Sequence, residues 1–105
     1  MRIETYGQQL EITPALRDYV EEKLRRLARH FDQPIDARVQ LGLSKPSHRA
    51  AADLSVPGRS LHAEAEAQTM YAAIDLLADK LDRQILKLKE KQQDHQAPRV
   101  VPDVG

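Results

Sequence analysis

The sequence predicts an α+β domain in which two parallel helices cover one face of a four-stranded sheet, in the order β-α-β-β-β-α. The chain has 105 residues, which suits one compact domain. The spacing of apolar residues changes from the helical period to the strand period of two and back again, which separates helices from strands. Short turns containing Pro46 and Pro57 join the period-two segments, and this favours an antiparallel meander.

The first part of the chain contains a strand and a helix. Isolated apolar residues on either side of Gly7 indicate an edge strand over roughly 2–8. Thr13 is a good N-cap residue, and Pro14 suits the first helical position because its missing N–H would have no partner there. Apolar residues then recur three or four positions apart, which predicts a helix over about 14–31. These residues are Leu16, Val20, Leu24, Leu27 and Phe31.

Three half-buried strands follow, since apolar and polar residues alternate in three consecutive segments. The apolar positions are Ala37, Val39, Leu41 and Leu43, then Ala50, Ala52, Leu54 and Val56, then Leu61, Ala63, Ala65 and Ala67. Pro57 and Gly58 have the residue types of a type II turn, in which glycine accepts a positive φ. The small alanines allow helices to lie close to the sheet.

The last part of the chain contains a second helix and a tail. Thr69 caps a helix whose apolar period covers about 70–91. No period continues beyond it, and prolines occur at positions 98 and 102. We therefore expect residues 1–91 to form the domain and 92–105 to form a disordered tail.

The order of elements predicts how the helices run. A β-α-β crossover makes the first two strands parallel if they lie in one sheet. Two hairpins then make the fourth strand parallel to the second, so that both helices run in the same direction. We expect their C-terminal ends to lie at the same edge of the domain.

Composition excludes several classes of protein. The 16 Lys and Arg balance the 16 Asp and Glu, so attraction to nucleic acid or an anionic membrane requires segregated charge. The absence of cysteine excludes disulfide scaffolds, thiolate zinc sites and cysteine nucleophiles. No apolar stretch approaches the ~20 residues that span a bilayer, and the N-terminus lacks the apolar core of a signal peptide. We expect a cytoplasmic protein without a membrane partner.

Basic residues concentrate in the later half of each predicted helix. They are Lys23, Arg25, Arg26, Arg29 and His30 in the first helix, and Lys80, Arg83, Lys87, Lys89 and Lys91 in the second, with Gln84 on the same flank. Cations near helix C-termini also complement the helix dipole, so a purely structural interpretation stays open. The alternative is contact with the phosphate backbone of folded RNA, which needs few aromatic side chains. Aromatics make up only 4% of the chain.

The sequence offers no catalytic constellation. The four histidines lie on different elements without metal-ligand spacing, and no phosphate-binding glycine loop or serine elbow is present. Glu64 and Glu66 share one strand face, where two carboxylates either perform acid–base chemistry or are simply solvated. Tyr71 and Asp75 lie one helical turn apart and are either structural or part of a binding site. We expect a protein that is not an enzyme and has no metal or cofactor.

Two segments resemble a known family. Met70-Tyr71-Ala72-Ala73-Ile74-Asp75, with Asp79-Lys80-Leu81-Asp82-Arg83-Gln84-Ile85 and Lys87-Leu88-Lys89 downstream, resembles the second-helix signature of bacterial ribosome hibernation promoting factors, also called ribosome-associated inhibitors. Ile12-Thr13-Pro14-Ala15-Leu16, with Lys23-Leu24 downstream, is similar to the N-terminal pattern of that family. The resemblance covers about residues 2–91. Gln68 and Thr69 stand where the family usually has an acidic residue before the methionine.

The resemblance implies a fold similar to double-stranded-RNA-binding domains and a function on the ribosome. Such proteins bind rRNA of the small subunit in the mRNA and tRNA channel near the decoding centre, and they inhibit translation in stationary phase or stress while preserving idle ribosomes. Matching positions imply a set of rRNA contacts, with Tyr71 and Asp75 matching without an assigned role. The contacts are Lys23, Arg26, Lys80, Arg83, Gln84, Lys87 and Lys89, to which the charge pattern adds Arg25, Arg29 and Lys91.

The resemblance also implies partners. The chain looks like a short form, since it ends before the additional C-terminal domain with which long forms pair ribosomes. We expect it to bind intact ribosomes as well as the small subunit, to work beside a separate ribosome-dimerising factor, and to be monomeric off the ribosome. The alternative is a protein-interaction module that modulates a sigma factor through the acidic sheet face.

Overall fold

The computed structural model describes the backbone of residues 1–96 and the side chains of residues 1–90. The observed order confirms the predicted one, with a 3-10 segment inserted after the first helix. The elements are β1 (Arg2–Gln8), α1 (Pro14–Arg25), the 3-10 segment (Arg26–His30), β2 (Asp36–Ser44), β3 (Ser47–Val56), β4 (Arg59–Ala67) and α2 (Met70–Gln96). Within residues 1–96 no helix combines the length and apolar character needed to cross a membrane.

The four strands form one mixed sheet in the order β1-β2-β3-β4. β1 pairs with β2 in parallel, and the two following pairs are antiparallel, as the crossover and the meander predict. Gly58 adopts a φ of 86° in the turn between β3 and β4, a conformation that glycine accepts without steric cost.

The core lies between one face of the sheet and the two helices. Most of the alternating apolar residues of β2, β3 and β4 are buried with Val20 and Leu24 of α1 and with Ile74, Leu77 and Leu81 of α2. Leu43, predicted on the buried face, is instead 46% exposed near the end of β2. α2 packs mainly on β3 and β4, whereas α1 packs on β1 and on α2. Ala50, Ala52, Ala63 and Ala65 are all buried, so their small side chains admit the helix layer closely, as the sequence predicts.

Both helices begin with a threonine cap. Thr13 Oγ1 accepts a hydrogen bond from the backbone N–H of Leu16 at 3.2 Å. Thr69 Oγ1 accepts one from the N–H of Ala72 at 3.1 Å. A threonine cap therefore starts α2 at the place where the chain departs from the family pattern.

The helix ends differ from the predicted ones. α1 tightens into the 3-10 segment at Arg26, a common way for a helix to end. The apolar period predicts that α2 ends near residue 91, but the helix continues to Gln96. Loss of the apolar period does not by itself end a helix, and the first helix-breaking residue in this part of the sequence is Pro98. The rest of the expected disordered tail, residues 97–105, lies outside the described residues, and the domain boundary at residue 91 remains a prediction.

The helices are parallel, as expected, but they do not end together. The Tyr19 side chain is hydrogen-bonded to Asp75, and that of His30, further along, is hydrogen-bonded to Asp82. Both helices therefore run in the same direction. The 3-10 segment ends at His30, while α2 continues from Asp82 to Gln96. At 1.5 Å per residue this continuation is about 21 Å long. The expected common edge for the two basic ends is therefore wrong.

Candidate nucleic-acid interface

One flank of α1 faces α2 through a cluster around Asp75. The Tyr19 hydroxyl donates a hydrogen bond to Asp75 Oδ1 at 2.7 Å, and Lys23 Nζ lies 3.5 Å from the same oxygen. The Tyr71 ring meets the Tyr19 ring edge-on, with centroids 4.8 Å apart. The hydrogen bond to Asp75, together with burial, raises the pKa of Tyr19 above its ordinary value. Tyr71 and Asp75 therefore join the two helices.

A second contact ties the end of the 3-10 segment to α2. His30 Nε2 lies 2.9 Å from Asp82 Oδ1, and the His30 side chain is only 15% exposed. Tyr19, Lys23 and His30 thus contact the acids of α2. Arg26, which the helical period places on the same flank, is mostly exposed and pairs with Glu22.

An open groove of about 350 Å³ runs between the helices. We call its α2 wall the acid row, which consists of Asp75, Asp79 and Asp82. We call its opposite wall the inner basic strip, which consists of Lys23, Arg26 and Arg29. The groove therefore carries both signs of charge, a mixture that the position of basic residues along each helix did not indicate.

The basic flank of α2 lies on the other side of that helix. Lys80 Nζ donates a hydrogen bond to the backbone carbonyl of Glu64 at 2.7 Å, and Gln84 Nε2 donates one to that of His62 at 2.8 Å. These carbonyls belong to β4, an edge strand of the sheet. Lys80 and Gln84, expected as rRNA contacts, thus cover part of an unpaired strand edge. We call Lys80, Arg83 and Lys87 the outer basic strip.

The two basic flanks therefore do not face each other. Periodicity placed them correctly around each helix axis, but it did not show which neighbour each flank meets. The acid row lies between the inner and outer basic strips. The protein therefore has two separate basic strips instead of the single basic end that the sequence suggested.

Several candidate contacts already have partners. Arg25 pairs with Glu21 at 3.2 Å and Arg26 with Glu22 at 3.8 Å. Lys89 Nζ lies 5.6 Å from the centroid of the Phe31 ring. Exposed pairs of this kind contribute little stability and are easily exchanged for a phosphate. Lys91 is in α2, and its side chain is outside the described part of the chain.

Three cations of the two strips have neither a hydrogen-bond nor an ion-pair partner among the described residues. Among the side chains of residues 1–90, no carboxylate lies within 4.0 Å of a charged nitrogen of Arg29, Arg83 or Lys87. All three are exposed. Within the two strips, their charges are therefore the most available for an anionic partner.

The uncovered sheet face carries a network of ion pairs instead of a bare acidic surface. His62 lies between Asp53, at 2.7 Å, and Glu64, at 3.0 Å. Arg49 pairs with Glu64 at 2.7 Å. Hydrogen bonds from His62 and then Arg49 lower the pKa of Glu64, so this carboxylate is a poor general acid.

This network was not predicted from the sequence, although the alternation of charged residues along the strands indicates it. Glu4, Arg38, Asp53 and His62 are register partners across all four strands and alternate in sign. Cross-strand pairs of opposite charge stabilise a sheet. Among the described residues, no group of three or more His, Asp or Glu side chains has the geometry to hold a metal ion.

The fold and its surfaces define a small α+β protein with separated cationic strips on its helical layer. Residues 3–93 match the family described as "Sigma 54 modulation protein / S30EA ribosomal protein", and the chain belongs to this family. The resemblance given by the two helix signatures is thereby confirmed.

Curated relatives cover nearly the whole chain. A ribosome hibernation promoting factor from Azotobacter vinelandii is 52% identical over 96 residues, which span 91% of this chain and 90% of the relative. The protein of the same name from Escherichia coli K12 is 44% identical over 95 residues, which span 90% of this chain and 100% of the relative.

Solved structures have the same fold. The N-terminal domain of Protein Y from Thermus thermophilus superposes with a TM-score of 0.80 at 42% identity, covering 84% of this chain and 99% of that domain. A ribosomal subunit interface protein from Coxiella burnetii gives 0.76 at 35% identity, covering 86% of this chain and 99% of that one.

Proposed function

We propose that this protein binds rRNA of the small ribosomal subunit in the mRNA and tRNA channel and thereby inhibits translation, preserving idle ribosomes. The names of its relatives, ribosome hibernation promoting factor and ribosomal subunit interface protein, support a role on the ribosome. The observation that carries the proposal is the pair of basic strips, in which Arg29, Arg83 and Lys87 have no carboxylate within 4.0 Å among the described side chains.

Phosphate contact is the chemistry that these strips suit best. A zero net charge is no obstacle, because counterion release depends on the number of phosphates that are neutralised locally. The three aromatic residues of the helical layer are engaged in contacts within the protein: Tyr19 with Tyr71, and Phe31 with Lys89. Backbone contact with folded RNA therefore fits the surface better than stacking of unpaired bases.

Binding should depend steeply on salt. If the six side chains of the two strips engage phosphates, a fourfold rise in monovalent salt weakens binding by roughly 300- to 2,000-fold, from a slope of about −0.7 to −0.9 per phosphate. Co-sedimentation with purified small subunits over a salt series measures this slope, and in-vitro translation measures inhibition. A slope near zero, or binding without inhibition, contradicts the proposal.

The family description also names modulation of sigma 54. A protein partner of that kind would have the uncovered sheet face available, where Asp53 and Glu64 are paired with Arg49 and His62 and Glu66 is exposed. We favour the ribosomal function because the two strips bring several cations without carboxylate partners together on the helical layer. Loss of a sigma-factor effect on substitution of Glu66, with ribosome binding intact, would support the alternative.

A further inference from the structure

We propose that the acid row is a specificity determinant, which keeps RNA other than the ribosomal site off the helical layer. The inference rests on the proposed function and deepens it. The carboxylates bind nothing in this proposal; they repel phosphate from the space between the inner and outer basic strips. RNA binds well only if two segments of its backbone pass on either side of the row.

The acid row is fixed in place at both ends. Asp75 accepts the hydrogen bond from Tyr19 and contacts Lys23, while Asp82 contacts the largely buried His30. Asp79 lies between them, is exposed, and has no cation within 4.0 Å among the described side chains. Asp79 is therefore the carboxylate of the row that has no direct ion-pair partner among residues 1–90, although the inner basic strip lines the opposite wall of the same groove.

The two basic strips lie on either side of the acid row. The inner strip forms the opposite wall of the same groove. The outer strip lies along the other edge of α2, from Arg83, one helical turn beyond Asp79, to Lys80, which reaches β4. A backbone that follows a single strip stays close to the acid row, whereas two backbone segments can straddle it.

The electrostatic consequence is a difference between two kinds of RNA. Nonspecific binding comes almost entirely from phosphate contacts, so it is sensitive to every uncompensated charge near the strips. A complex in which the backbone straddles the row keeps its phosphates away from Asp79. Like-charge repulsion against the wrong partner is a general source of specificity.

The test compares Asp79→Asn with Glu66→Gln, which changes net charge equally but lies exposed on β4, on the solvent face of the sheet. The probes are purified small subunits and an unrelated RNA duplex, each at ~0.1 M monovalent salt. If the charge of Asp79 offsets one phosphate contact, its removal strengthens duplex binding by about five- to eightfold at this salt, from a slope of about −0.7 to −0.9 per phosphate. We expect a change under twofold for the small subunit, and under twofold for Glu66→Gln with both probes.

The outcomes separate this inference from the proposed function. A selective gain for the duplex supports the acid row as a specificity determinant. Equal gains for both probes, no gain for either, or weaker binding of Asp79→Asn to the small subunit overturns it. Failure of the wild-type protein to bind small subunits overturns the proposed function itself, and with it the inference. An unchanged melting temperature for both variants shows that the comparison is made on folded protein.

Discussion

At the scale of single residues, Asp75 illustrates why a matched signature does not by itself reveal a role. Its spacing from Tyr71 was visible in the sequence, but its partners Tyr19 and Lys23 belong to another helix. A pattern along one helix reports positions on that helix and nothing about which side chains another element brings to them. The contact could therefore be found only in the structure, where Asp75 holds the two helices together.

Tyr19→Phe tests this assignment. The change removes the hydroxyl bonded to Asp75 and keeps the ring that packs against Tyr71. We expect the free energy of unfolding to fall by about 1 kcal/mol, as for a typical hydrogen bond. Urea denaturation measures it. Tyr6→Phe is the control, because Tyr6 is exposed and bonds Glu4 on the same strand, so a change within about 0.5 kcal/mol is expected. Equal effects of the two changes argue against the assignment.

His62 carries a pH prediction. Hydrogen bonds to Glu64 and then Asp53 raise the pKa of His62 above its ordinary value, with Arg49 close by on Glu64. The pKa of His62 is higher in the folded than in the unfolded protein. Its contribution to the free energy of unfolding is therefore complete below the unfolded-state pKa and is lost as pH rises through the folded-state pKa. An NMR titration should place the midpoint above 6.5, and Glu64→Gln should lower it. A midpoint at or below 6.5 in the wild type contradicts the network.

At the scale of elements, sequence patterns predicted identity and order better than extent. Threonine caps, the strand period and the Pro-Gly turn each depend on neighbouring residues, so the sequence contains them. The length of α2 and its stagger against α1 depend on packing between elements, which no local pattern reports. The same reason explains why both basic flanks were recognised while their neighbours were not.

The cap of α2 gives a prediction at this scale. Thr69→Ala removes the acceptor for the Ala72 N–H, so we expect a loss of about 1 kcal/mol in the free energy of unfolding. Thr69→Ser retains a hydroxyl at the cap and should stay within about 0.5 kcal/mol of the wild type. Chemical denaturation of the wild type and the two variants measures these differences in the free energy of unfolding. Wild-type stability for the alanine variant would mean that the Thr69 hydroxyl does not cap α2.

At the scale of the whole molecule, a neutral protein presents two cationic strips with an acid row between them. Net charge alone gave no sign of this arrangement, and charge position along each helix suggested a single basic end. The parallel packing of the helices, with a different neighbour on each flank, produces the separation. The strips are therefore a property of the tertiary structure, although each cation was a candidate from the sequence.

The most direct test of the central claim is charge reversal on the outer basic strip. Arg83→Glu with Lys87→Glu should remove two phosphate contacts and add repulsion. Arg17→Glu with Lys45→Glu is the matched control, since it makes the same change in net charge at two exposed residues outside both strips. Neither pair lies in the core, so stability should shift by only about 0.5 kcal/mol per residue.

The measurement is co-sedimentation with small ribosomal subunits at ~0.1 M monovalent salt. Given a slope of about −0.7 to −0.9 per phosphate, two lost contacts weaken binding by about 25- to 60-fold, and repulsion adds to this. We predict at least this loss for Arg83→Glu/Lys87→Glu and binding close to wild type for Arg17→Glu/Lys45→Glu. A folded Arg83→Glu/Lys87→Glu variant that binds small subunits like the wild type contradicts the account, because the cations of α2 would then only complement its helix dipole.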